Sequence, residues 1–266
     1  MLNEVLLVAL ASLVALAVGS FLNVVIYRLP QMLLYPNQDL TLISPRSRCP
    51  NCQSKILLRD NVPLISWLAL RGRCRHCKSP ISVRYPITEL ATLMLSLVLA
   101  GLLPWNLTLV AALLLCWMLL PLVLIDIQHQ LLPDILTLSL LWLGLLCHTF
   151  SVIPGTLSNA VLGAVAGYLL LWLIATVYRS WKGIAGLGLG DAKLLAALGA
   201  WLGWQALPRV LLIAATSGIV YVLLRYAFFH RSIKHPLPFG PMLAFAGVMT
   251  FIPKLMQFAE GTATRL

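Results

Sequence analysis

Five apolar runs constrain this chain more than any other feature: Val5–Tyr27, Leu107–Ile125, Ile135–Val152, Ala160–Tyr178 and Val210–Phe229. Each has the ~17–25 residues an α-helix needs to cross a bilayer. Shorter runs at Leu90–Leu103, Leu194–Leu207 and Phe239–Ile252 are expected to span too, with their ends sheltered by neighbours. The expected fold is therefore an all-α polytopic membrane protein with about eight transmembrane helices. Composition agrees: 60% of the 266 residues are hydrophobic and 10% charged, whereas a soluble domain is roughly a quarter charged. The first run reads as a helix that stays rather than a cleavable signal. Its short N-terminal flank carries Glu4 and no Lys or Arg, and its apolar stretch is too long for a signal h-region.

The net charge of +11 would suggest nucleic acid in a soluble protein. Here its distribution gives a different answer. Ten of the 19 Lys and Arg lie between Arg28 and Arg84. Arg179, Lys182 and Lys193 form a second group, and Arg225, Arg231 and Lys234 a third, while the connections 104–106 and 153–159 have none. Positive loops stay on the cytoplasmic side. The N-terminus is then expected outside, the long basic loop inside, and lipid rather than nucleic acid beside the chain. Three zones follow: 1–27 is the first transmembrane helix, 28–86 a cytoplasmic basic loop domain, and 87–266 a membrane domain. No internal repeat is evident.

The loop domain holds CPNC, Cys49 and Cys52, and CRHC, Cys74 and Cys77, with 21 residues between the pairs. This is close to zinc-ribbon spacing. Four thiolates close a tetrahedral shell and leave no position for water, so such a site is structural. Metal would also stabilise a basic loop with little apolar material for a core. Arg48, Arg73, Arg75 and Lys78 are expected to favour thiolate over thiol. Two other readings stay open: disulfides, and a redox CxxC pair. Both conflict with a reducing cytoplasmic location. Cys116 and Cys147 lie in apolar runs and read as small hydrophobes.

Of eight acids, Glu4, Asp39, Asp60 and Glu260 fall in loops or tails. Glu89 is expected at the start of the second helix, where an acid suits the positive end of the dipole. Asp126 ends the third run, in LVLIDIQHQLLPD, and Asp191 begins the sixth, in GLGLGDAK. The topology puts both at the cytoplasmic rim. An ionisable group at membrane depth is functional by default. Two carboxylates sharing a site hold one proton between them, so one can activate water while the other donates to the carbonyl oxygen or the leaving nitrogen. Bland alternatives exist for each. Asp126 could pair with Lys193 or Arg179, Asp191 could cap its helix, and Asp134 reads as an N-cap after LP. Lys193 reads as an interfacial anchor or a tuner of Asp191. The G-x-G-x-G stretch has no strand before it, so it does not fit a dinucleotide loop. It reads as a hinge, or as clearance at Gly188 and Gly190 for a substrate backbone approaching the acid.

Taken together, FLNVVIYRLP, CPNC and CRHC, RYPITEL, IDIQHQLLPD, GLGLGDAKLLAALGAWLGW and PLPFGP resemble, in order along nearly the whole chain, the bacterial type IV prepilin peptidases. That resemblance implies a polytopic inner-membrane aspartic protease of the GxGD class. Its members cut prepilins or type II secretion pseudopilins after the glycine ending a short basic leader. Many then methylate the new N-terminal amine, usually of phenylalanine, with S-adenosylmethionine. The catalytic aspartates carry over to Asp126 and Asp191, and the zinc ligands to Cys49, Cys52, Cys74 and Cys77; Gly188, Gly190, Asp134 and Lys193 are expected around the pair as clearance or support. Leu97 stands where some members carry glycine and adds bulk to the second helix. The alternatives are a proton-coupled transporter or binding protein with a structural zinc loop, and a membrane thiol oxidoreductase.

Overall fold

A computed structural model of the chain describes residues 2–36, 40–183, 188–229 and 238–263. Asp39, Gly186, Arg231, Lys234 and Arg265 lie outside the described residues, as does the side chain of Glu4. The chain divides into two compact units, residues 1–101 and 102–266.

In the first unit, α1 spans Leu2–Leu34 and continues beyond Tyr27 through Pro30. A loop follows, with a 3-10 turn at Leu58–Asp60 and the five-residue helix α2 at Ile65–Ala69. Helix α3, Arg84–Leu102, carries the buried stripe Thr88, Glu89, Thr92 and Ser96. A Cβ added to Gly19 of α1 would lie 2.9 Å from the Glu89 Cα and 3.1 Å from the Thr92 side chain, so this glycine lets the two helices meet closely. Glu89 is not at the start of its helix as expected. The helix begins five residues earlier, at Arg84, which leaves Glu89 buried one turn further in. Its partner is a loop N–H rather than the helix terminus: the Leu64 amide donates to Oε2 at 2.8 Å.

The second unit contains α4 Leu107–His129, α5 Asp134–Thr149, α6 Leu157–Lys182, α7 Leu189–Leu202, α8 Leu207–Phe229 and α9 Gly240–Ala263. The eight expected runs thus all appear as helices, in order. Among the described residues, six helices are long and apolar enough to cross a membrane. The exceptions are α5, with 16 residues, and α7, with 14. At 1.5 Å per residue α7 extends about 21 Å, short of a ~30 Å hydrocarbon core.

The short helix α7 tolerates its length because it is enclosed. Every residue from Leu194 to Leu202 is buried, and α5, α6 and α9 all pack on it. The seam with α6 is backbone against backbone. A Cβ on Gly163 would overlap the Gly199 carbonyl, and one on Gly199 would overlap the Gly163 carbonyl. At the far end of α7, the Trp201 ring meets Phe251 edge-on at 5.5 Å. Its Nε1–H donates to the Leu140 carbonyl at 2.8 Å, which satisfies the one polar atom of a fully buried side chain.

Candidate active site and metal centre

Asp126 lies in the last turn of α4. Gln130 ends that helix in the left-handed conformation, at φ +52°, with its N–H on the Asp126 carbonyl at 2.9 Å. The chain then folds back through Leu132 and Pro133 into α5. Asp126 is 5% exposed, and its Oδ2 accepts the N–H of Gly240, the first residue of α9, at 3.0 Å. A helix N-terminus presents unpaired N–H groups and the positive end of the dipole, which suits a carboxylate.

Asp191 sits in the first turn of α7, half-buried, with Gly188 at the capping position. Leu132 links the surroundings of Asp126 and Asp191. A Cβ on Gly190 would lie 2.9 Å from the Leu132 Cβ. A Cβ on Gly240 would lie 2.7 Å from Asp126 Oδ2 and 3.2 Å from the Leu132 Cδ2. Both glycines therefore clear room where α7 and α9 converge on the Asp126 loop. Neither Gly188 nor Gly190 adopts a positive φ. The clearance at Gly190 is filled by Leu132 of the same chain.

Lys193 and Asp134 do not take the places expected of them. Pro133, not Asp134, occupies the N-cap position of α5. Asp134 instead holds Lys193 Nζ with both carboxylate oxygens, each at 2.7 Å. The possible Lys193–Asp126 pair is thus replaced by a bridge that ties the first turn of α5 to the second turn of α7. Sequence reasoning missed Gly240 and Leu132 as parts of this site. The signal for Gly240 was PFGP at a helix start. Nothing in the sequence tied that start to the depth of Asp126.

In the first unit, the four loop cysteines form one cluster. Their Sγ atoms all lie within 4.8 Å of one another, with Cys49–Cys77 at 3.8 Å and Cys52–Cys74 at 3.9 Å. Zn–S bonds of 2.3 Å in a tetrahedron give S···S edges of about 3.8 Å, so the donor set fits that ion. All six cysteines of the chain are unlinked.

The cluster rests on two copies of one short turn. Cys49 N–H bonds to the Ser54 carbonyl and Cys74 N–H to the Ser79 carbonyl. Gln53 and Lys78 occupy matching left-handed positions, at φ +56° and +59°. Isolated antiparallel bridges, Arg48 with Lys55 and Arg73 with Pro80, close each turn. The shared pattern is Arg-Cys-x-x-Cys-x-Ser, too short to stand out as a repeat.

The expected source of thiolate stabilisation also changes. The Ser79 hydroxyl and N–H hold the Cys77 thiol down to about 6. The N–H groups of Cys52 and Asn51 lower Cys49. These groups, rather than the surrounding arginines, are the main cause, because each turn aims its amides at sulfur. Arg75 is engaged elsewhere, on the Asp60 carboxylate at 2.6 Å.

Comparison with known proteins agrees with this layout. Residues 13–102 match the Bacterial Peptidase A24 N-terminal domain and residues 113–223 the Type IV leader peptidase family. The chain is 49% identical over 253 residues to a protein of Pectobacterium carotovorum subsp. carotovorum, covering 89% of this chain and 90% of that one. It is 49% identical over 262 residues to one of Aeromonas hydrophila, covering 90% and 88%. It is 44% identical over 261 residues to one of Stutzerimonas stutzeri, covering 92% and 90%. All three relatives are named prepilin leader peptidase/N-methyltransferase. No solved structure matches the chain.

Proposed function

Because the chain belongs to the type IV leader peptidase family, we propose that it is a membrane aspartic endopeptidase. It removes the short basic leader of type IV prepilins or type II secretion pseudopilins after a glycine. It then N-methylates the new N-terminal residue, with S-adenosylmethionine supplying the methyl group.

The observation that carries this reading is the convergence on Leu132 of Gly190, next to Asp191, and of Gly240, whose N–H bonds Asp126. Asp126 already accepts a backbone N–H, which suits its charged form, so it serves as the base that takes a proton from water. Asp191 donates its proton to the carbonyl oxygen; as the tetrahedral diol collapses, Asp126 passes the proton it took from water to the leaving nitrogen and Asp191 takes one back from the diol hydroxyl. Substrate chemistry agrees with this placement. A basic leader stays in the cytoplasm, while the segment after the cut is apolar and lies in the bilayer. The scissile bond then lies at the interface, at the ends of α4 and α7. The asymmetry of Lys and Arg supports the cytoplasmic membrane as location, with this rim inside and the N-terminus outside.

In the 28–86 loop domain, Cys49, Cys52, Cys74 and Cys77 hold one structural zinc, which stabilises the two turns. Mass analysis of prepilin treated with the purified protein, with and without S-adenosylmethionine, tests both activities at once. Intact prepilin under both conditions would overturn the peptidase reading. Metal analysis tests the loop: about one zinc per chain is expected, and protein with intact thiols but no metal would refute the site.

A further inference from the structure

The peptidase site leaves one buried acid unused. Glu89, in the membrane helix α3, is 7% exposed. The described ion pairs are Arg75 with Asp60 and Lys193 with Asp134, so among the described residues no cation answers Glu89. A buried carboxylate without a counter-charge is costly, and at membrane depth it marks function by default.

The helix seam around it separates packing from something else. Thr88, Thr92 and Ser96 each return their hydroxyl to the carbonyl four residues back, on Arg84, Thr88 and Thr92. Those residues are satisfied by the helix itself. Asn23 of α1 is not. Its Nδ2 donates to the Tyr85 carbonyl at 3.0 Å and the Gly19 carbonyl at 3.3 Å. Its Oδ1 is buried without a donor, in a side chain 3% exposed. The amide orientation follows from those two carbonyls, since turning it over would place oxygen against oxygen. Asn23 and Glu89 belong to one locus: Gly19, which accepts from Asn23, is the glycine that abuts Glu89, and Tyr85 is one turn before Glu89. Ser20, beside Gly19, bonds the Glu89 carboxylate.

The Leu64 turn holds the other Glu89 contact. Leu64 has φ +58° and ψ −50°, a conformation costly for a leucine, and its N–H is the donor to Oε2. Such strain clusters at ligand clamps. The locus thus combines a buried carboxyl without a cation, an acceptor lacking a donor and a strained turn. What it lacks is a cation that carries N–H groups.

We propose that Glu89, Asn23 and Ser20 form a binding site for a primary ammonium group, distinct from the Asp126–Asp191 pair. A thioether or a bare methyl would leave the Asn23 oxygen unpaired, whereas an ammonium supplies both its hydrogen and the missing charge. The assignment rests on the methyltransferase reading for its source of amines. Two fit: the new N-terminus of the cut product, and the amino-acid end of S-adenosylmethionine.

The test uses the full-length protein in lipid nanodiscs and reads binding rather than turnover. The probes are a phenylalanine-led product peptide, its N-acetylated twin, and S-adenosylmethionine, each with the parent and with Glu89→Gln. Gln keeps an acceptor for Leu64, so the fold is expected to persist. A product-amine site predicts that the parent prefers the free amine over the acetylated peptide on the order of tenfold, and that Glu89→Gln erases this preference. A donor site predicts a similar loss for S-adenosylmethionine alone. Unchanged affinities in both arms would overturn the proposal. Asn23→Ser, which withdraws the lone oxygen, gives a second reading if Glu89→Gln folds poorly. Its parallel loss supports the site, and parental affinities in it refute the site. A parent that shows the binding contrast but never methylates would retire the transferase reading and leave the ammonium site standing.

Discussion

The two ends of α7 are built from opposite materials. Its first turn carries Asp191, next to Gly190, which packs on the same Leu132 side chain as the Gly240 that bonds Asp126. Its last turn is met by cationic or neutral donors. Lys254 Nζ donates to the Leu202 carbonyl at 2.9 Å, and His148 Nε2 lies 3.3 Å from the Trp201 carbonyl, where its N–H tautomer donates. The helix dipole favours acids at one end and cations at the other, so both ends obey the same rule. They differ in completeness. At the C-terminal end the Trp201 and Leu202 carbonyls each have their own donor. At the N-terminal end two carboxyl groups share a corner without a cation, and the hydrogen bond described to Asp126 comes from the Gly240 amide. The paired end anchors the helix, and the acid end is the one to which the proposed function assigns proton transfer.

Removing an acid should break this contrast most sharply. Asp126→Asn and Asp191→Asn are each expected to lower cleavage by about 10²–10⁴-fold, the range of general acid–base catalysis. Thermal unfolding of both should stay close to that of the parent. Retained cleavage in either variant would show that the acid end is not the chemical one.

Next in size is the shaft that joins the ends. Gly163→Leu or Gly199→Leu forces a side chain into the facing backbone. Overpacking of this kind costs about 1–3 kcal/mol or more. Stability and activity should fall together, since both ends depend on the same seam. A variant with parental melting would show that α6 and α7 do not meet backbone to backbone.

Lys254→Met sharpens the comparison from the anchoring side. Loss of a charged hydrogen bond is expected to cost about 1.5–3 kcal/mol of stability. The kcat/KM of the folded fraction should not change. A large fall in kcat/KM would make the two ends one functional unit.

The smallest effect belongs to Lys193→Met. The pair with Asp134 is partly exposed, so a stability change below ~1 kcal/mol is expected. A double-mutant cycle with Asp134→Asn measures it. A cleavage defect as deep as that of the aspartate variants would move Lys193 from a strut into the proton chemistry.

Much of this architecture is legible in the amino-acid sequence. The apolar runs announce helices through length alone, and all eight appear. The cysteine spacing announces a single four-sulfur cluster, because two tight turns leave few other arrangements. Local geometry that depends on neighbours is not legible in the same way. Asp134 reads as a cap because LPD is a capping pattern, but its carboxylate finds a stronger partner in Lys193, 59 residues away. The arginines around the cysteines look like the thiolate stabilisers because charge is visible in sequence, whereas the direction of a backbone amide is not.

The sequence alone determined the class of molecule, the order of its helices, the four-cysteine set and the two acids worth watching. Each follows from composition, run length or short-range spacing. Tertiary structure decided which acid receives the Gly240 amide 114 residues later, that Leu132 fills the space at Gly190, and that Glu89 and Asn23 share a seam. These depend on how helices cross and how closely they approach, which glycines permit but no periodicity specifies.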